Sequence, residues 1–146
     1  QGSFFSNLWE WFKGGDASAV EIQQFQVEKE KLFSKKKYIR FERALEINPN
    51  DADTLNNLGN AQSDLDLIDE SINSFKKAIY INPSFAEAYN NLSISYMKLN
   101  HLEDALKSNE KGLKLKSEFA EGYVTQGRIF SMQNQLINLL RMLKFT

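Results

Sequence analysis

The chain repeats itself with a period of 34 residues. "RFERALEINPNDADTLNNLGN", residues 40–60, aligns with "SFKKAIYINPSFAEAYNNLSI" at 74–94, which aligns in turn with "SNEKGLKLKSEFAEGYVTQGR" at 108–128. Such a period constrains the fold more than any bulk property does. Each copy must be one supersecondary unit that cannot bury its apolar face alone and therefore stacks on its neighbours. Within a copy, Leu55, Leu58, Gln62 and Leu65 follow helical spacing, Asp66 to Asp69 form a polar break, and Ile72, Phe75 and Ile79 resume the spacing. The unit is a helix, a short turn and a second helix. Pro49 and Pro83, the only prolines, each follow "IN" and stop a second helix, because proline disfavours the α conformation in the residue before it. Gly59, Ser93 and Gly127 share one mid-helix position, where a small residue costs helix stability and admits a close neighbour.

Composition removes several function classes. At 146 residues the chain has room for one domain of ordinary size, and a net charge of −1 gives no general pull toward nucleic acid or an anionic membrane. The "KKK" at 35–37 is mixed with acids and reads as a solvated turn. With no cysteine there are no disulfides, thiolate metal sites or cysteine nucleophiles, and the single histidine, His101, reads as a solvated turn residue. No metal cluster, phosphate-cradling glycine loop or nucleophile–base pair occurs, so neither catalysis nor a cofactor is expected. No apolar run approaches the roughly 20 residues of a membrane span. The N-terminus lacks signal-peptide grammar, so a cytoplasmic location is the expectation.

These residues resemble the tetratricopeptide repeat family, with its 34-residue period and W-x2-L-G-x2-Y, A-x3-F, P signature. Residues 52–85 match through Leu55, Leu58, Gly59, Phe75, Ala78 and Pro83, with Gln62 in place of tyrosine and Ser71 in place of alanine. Residues 86–119 match through Tyr89, Leu92, Tyr96 and Ala105 and depart at Ser93, Asn109 and Ser117. Residues 120–146 keep Tyr123, Gly127 and Phe130 as a partial repeat, and 16–51 hold a degenerate or shortened one in which two helices are expected over 19–47, the alternative being one fused helix from about Ala19 to Ile47, since no glycine or proline interrupts them. The resemblance implies an all-α solenoid, with first helices lining a concave groove and second helices forming its back.

Projected by helical phase, the first helix of residues 52–85 turns Asp53, Asn56, Asn57, Asn60 and Asp64 toward that groove. The next turns Glu87, Asn90, Asn91, Ile94 and Lys98 there, and the third Glu121, Val124, Thr125, Arg128 and Met132. A primary amide carries both donors and an acceptor, so it can pair with the backbone of an extended peptide without reading its side chains. Helices about 8–10 Å apart would place Asn57 and Asn91 at about every third residue of a chain that rises about 3.3–3.6 Å per residue. This resembles the asparagine ladder of some tetratricopeptide superhelices, shortened to two rungs because Thr125 stands at the third position. The same amides could instead solvate an exposed face or bond one repeat to the next. Asn60 and Asn91 also match asparagines of the family's carboxylate clamp, but Asn56, Glu121 and Thr125 occupy its basic positions, so a chaperone tail peptide is not expected to bind.

The ends point to self-association, as a homo-oligomer or a domain-swapped dimer. "FFSNLWEWFK", residues 4–13, aligns Phe5, Leu8, Trp9 and Phe12 on one helical stripe. That helix could cap the solenoid, dock in a groove as a partner helix, or touch a membrane surface, the last weakened by its single basic residue. "QLINLLRMLKF" presents Leu136, Leu139, Leu140 and Leu143 with almost no polar face, whereas a terminal repeat should expose one, so a following repeat, a second copy of the chain or the N-terminal aromatic helix of a neighbour is expected to cover it. A peptide-binding scaffold of unknown partner is thus the expected function. A substrate-recruiting part of a larger enzyme and a purely structural self-assembling unit are the alternatives.

Overall fold

The computed structural model describes residues 2–15 and 18–144, without the side chains of residues 2–5, 8 and 12. Among the described residues run α1 (Gly2–Lys13), α2 (Ala19–Ile47), α3 (Ala52–Asp64), α4 (Ile68–Ile81), α5 (Ala86–Lys98), α6 (Leu102–Leu115) and α7 (Ala120–Lys144). The hairpins α3–α4 and α5–α6 reverse at Asp66 and Asn100, whose φ of 63° and 58° lie in the left-handed region that aspartate and asparagine tolerate. Asp51 starts α3 by accepting from the Asp53 N–H at 3.2 Å and the Thr54 hydroxyl at 2.6 Å, and the Thr54 bond lowers its carboxyl pKa. Asn82 closes α4, donating its N–H to the Ala78 carbonyl at 2.9 Å while its side chain accepts from Ser84 N–H at 3.2 Å.

The core is a chain of overlapping clusters rather than a single centre. Leu55, Ala78 and Ala88 meet Leu45 and Phe85; Ile68, Ile72, Phe75 and Leu92 meet Tyr96; Met97, Ala105 and Ile129 meet Tyr96 and Met132. Each cluster joins consecutive helices, so stability passes from neighbour to neighbour along the stack. Four departures from the family signature, Gln62, Ser71, Ser93 and Asn109, lie between these helices, and each is buried with a hydrogen bond, whereas Ser117 is exposed. Gln62 accepts from Ser74 at 2.6 Å, Ser71 and Ser95 share a bond of 2.9 Å, Ser93 donates to the Ala105 carbonyl at 2.7 Å, and Asn109 donates to the Gly122 carbonyl at 2.7 Å. Replacing an apolar signature residue by a polar one has thus been matched by a partner on the facing helix.

Residues 19–47 do not form the expected two helices; α2 is one helix of 29 residues. Its start is fixed by a capping box, in which Glu21 N–H donates to the Ser18 hydroxyl at 3.3 Å and Ser18 N–H to the Glu21 carboxylate at 2.8 Å. No glycine, asparagine or aspartate occurs between Lys31 and Phe41 to take the left-handed turn that Asp66 and Asn100 supply, so the helix runs on. Its second half lies along α3, with Leu45 in the core and the buried Ser34 donating to the Asp64 carboxylate at 3.3 Å. The first half projects beyond α3 by roughly 20 Å at 1.5 Å per residue. There α1 lies beside it, with Trp9 lining a cavity of about 370 Å³ together with Phe25, Lys29, Leu32, Phe33 and Lys36. The side chains of Phe5, Leu8 and Phe12 lie outside the described residues. At the other end α7 is also one helix, of 25 residues; Gly122, Thr125 and Ile129 are buried against the stack, and beyond Met132 the apolar side chains are exposed.

Candidate functional site

The first helices α3, α5 and α7 lie side by side, and the seam between α3 and α5 is stitched by polar side chains. Asn91 donates to the Asn56 amide oxygen at 3.0 Å, and the Lys98 ammonium to the Ser63 hydroxyl at 2.7 Å and its carbonyl at 3.2 Å. Both contacts join residues 35 apart, one period plus one. Helical phase within one helix does not reveal this rule; the signal in the sequence is a pair of polar residues at that offset, as Asn56 with Asn91 and Ser63 with Lys98.

The seam sorts the expected groove residues. Asp53, Asn57, Asn60, Asp64, Lys98, Glu121, Val124 and Arg128 are exposed, while Glu87, Asn91, Ile94 and Met132 are half-buried. Asn56, Asn90 and Thr125 do not stand on the open face: they are 8%, 4% and 3% exposed. Their position is the reason: Asn56 meets Asn91 across the seam to α5, and Asn90 and Thr125 hold the equivalent register positions one repeat further on. Asn91 has one donor engaged with Asn56, whereas Asn57 is turned to solvent, so the two expected rungs are not equivalent.

At the second seam the offset pairs Asn90 with Thr125, where the first has Asn56 with Asn91. The Asn90 amide oxygen is buried there with no hydrogen-bond partner. Thr125→Asn is expected to supply the missing donor and raise the unfolding free energy by about 1 kcal/mol. A thermal melt checks this, and an unchanged or lowered midpoint would show that the longer side chain does not reach Asn90.

One ion pair borders the face: Lys116 and Glu87, both partly exposed, are 2.8 Å apart. The Lys116 hydrogen bond lowers the Glu87 carboxyl pKa, and Glu87 raises that of Lys116. The contribution of Glu87 to stability is therefore present above the ordinary glutamate value and lost as pH falls through the lowered one. Lys116→Ala is expected to move the NMR titration of Glu87 upward; an unmoved titration would mean that the pair does not persist in solution. Beside Asp64, a cavity of about 570 Å³ opens against α2, lined by Val27, Glu30, Phe33, Ser34 and Lys37. Among the described residues no helix is long and apolar enough to cross a membrane.

Comparison with known proteins agrees with this architecture. Tetratricopeptide repeat models match residues 52–85 and 74–107. No curated protein matches the chain significantly in sequence. Among solved structures, MamA is similar at 24% identity and a TM-score of 0.62, over 66% of this chain and 57% of its own. YrrB, described as a tetratricopeptide protein with an unusual peptide-binding site, is similar at 21% identity and a TM-score of 0.62, over 64% of this chain and 48% of its own. The first such domain of Spaghetti (RPAP3), solved with an HSP90 peptide, is similar at 18% identity and a TM-score of 0.60, over 75% of this chain and 94% of its own. This chain thus spans about half to three fifths of the length of MamA and YrrB. The period, the hairpins with left-handed turns and the model matches agree: over residues 52–107 the chain belongs to the tetratricopeptide repeat family.

Proposed function

We propose that the chain is an interaction scaffold whose first-helix face holds an extended peptide of a partner protein. The observation that carries this reading is the row of accessible side chains crossing three adjacent helices: Asn57 and Asn60 on α3, Ile94 and Lys98 on α5, Val124 and Arg128 on α7. Amides offer backbone pairing, Ile94 and Val124 offer apolar contact, and the interspersed charges of both signs favour a peptide of mixed rather than single charge. Peptide binding by YrrB and by the RPAP3 domain is in keeping with it. The test is a peptide selected from a random display library on this protein, with affinity measured by calorimetry. Asn57→Ala combined with Arg128→Ala, both exposed and outside the core, is expected to weaken binding about tenfold or more. Unchanged affinity would overturn the assignment. Binding of an acidic chaperone tail is not expected, since Glu121 and the neutral Asn56 and Thr125 stand where a carboxylate clamp needs cations.

A different observation favours self-association in addition. Leu136, Leu139, Leu140 and Leu143 on α7 are between 43% and 63% exposed, a contiguous apolar stripe of the kind that marks association surfaces.

A further inference from the structure

We infer that α7 is half of an exchanged repeat: in a dimer, residues 135–144 of each copy pack on residues 120–132 of the other and complete two third repeats at once. The 34-residue register carries the inference. It equates Leu136 with Ile68 and Leu102, Leu139 with Ser71 and Ala105, and Leu143 with Phe75 and Asn109. In the complete hairpins these positions are at most 8% exposed, whereas in α7 they are exposed, yet all three are leucines. The receiving side is open in the same way. A Cβ added at Gly59 would come within 2.5 Å of the Phe75 ring, while one added at Gly127 would meet nothing within 4 Å.

The notch at Gly127 and Leu143, the side chain that the register assigns to it, lie on one straight helix, roughly 24 Å apart at 1.5 Å per residue. They cannot meet within the chain while α7 is straight. Two α7 helices placed antiparallel about an axis through residue 135 bring each Gly127 opposite Leu143 of the partner subunit, in the self-complementary manner of a two-fold interface. The sequence also keeps the means of closing the repeat in one chain, because Asn134 stands at the left-handed turn position of Asp66 and Asn100. The exchanged and closed forms share their contacts and differ at that hinge, the circumstance in which chains exchange elements.

The inference rests on the self-association proposed above, and two measurements separate the two. Light scattering of the full chain at high concentration is expected to give a dimer; a monomer throughout overturns both. The chain contains no cysteine, so Gly127→Cys with Leu143→Cys is a clean reporter. Mild oxidation is expected to give a covalent, reduction-sensitive dimer. An internal disulfide in a monomer, or a dimer that does not cross-link, overturns the exchange and leaves self-association standing. Leu139→Glu with Leu140→Glu is expected to raise the dimer dissociation constant about a hundredfold while the helical signal of α3–α6 persists. An unchanged dissociation constant overturns the exchange.

Discussion

Phe75→Ala is expected to lower the unfolding free energy by about 3–5 kcal/mol. Phe75 is 1% exposed and belongs to the cluster of Ile68, Ile72 and Leu92 that joins α4 to α5, and its ring also fills the notch at Gly59 on α3. Removing it opens a cavity at the meeting point of three helices, which cannot collapse without breaking the stack. Gly59→Ala probes the same contact from the other side. A Cβ there would stand 2.5 to 2.8 Å from three ring carbons that have no room to withdraw. Overpacking of about 1–3 kcal/mol outweighs the gain of about 1 kcal/mol in helix propensity. Combining Gly59→Ala with Phe75→Leu relieves the clash, so the double variant is expected to be more stable than the sum of the singles, by about 0.5–3 kcal/mol. Urea unfolding of Phe75→Ala, Gly59→Ala, Phe75→Leu and the double variant measures these effects. Additive effects would mean that glycine and ring do not touch.

Ile129→Ala should be nearly as costly, at about 2–5 kcal/mol, with an effect concentrated at one end. Ile129 is fully buried and joins Met97 and Ala105, tying α7 to α5 and α6. Few other α7 residues are buried, chiefly Gly122 and Thr125, so the docking of this helix rests largely on one side chain. In a nearest-neighbour stack such a loss is felt first by the affected unit. Amide exchange is expected to rise across residues 120–132 well before it rises in α3 and α4. A uniform rise would show that the stack unfolds as one unit. Since Val124 and Arg128 ride on α7, the same variant is expected to weaken peptide binding at temperatures where α3 and α5 remain folded.

The interior of the fold was readable because the chain repeats its pattern. Proline, the left-handed turn residues and the helical spacing recur in register, so the hairpins α3–α4 and α5–α6 follow from the sequence. The candidate face was readable only in part. Asn56 and Asn57 are adjacent and both polar, and helical phase within one helix does not separate a seam residue from a groove residue about 100° away. The neighbouring helix makes the distinction, by placing Asn91 against Asn56 and leaving Asn57 free. Residues 19–47 were ambiguous in sequence for a related reason. The register implied a helix–turn–helix unit there, but between Lys31 and Phe41 no residue takes the turn, whereas at Asn134 in α7 a suitable residue is present without turning. A turn residue permits reversal; packing of the two arms decides whether it happens.

Peptide recognition by the first-helix face requires that side of the stack, and not its back, to meet the partner. The direct measurement is NMR chemical-shift mapping of the isotope-labelled protein with a library-selected peptide. Changes are expected at the side-chain amides of Asn57 and Asn60 and at Ile94, Lys98 and Arg128, crossing from α3 to α7. Changes confined to outward residues of the second helices, such as Lys76, Tyr80, Lys107 and Lys111, would contradict it.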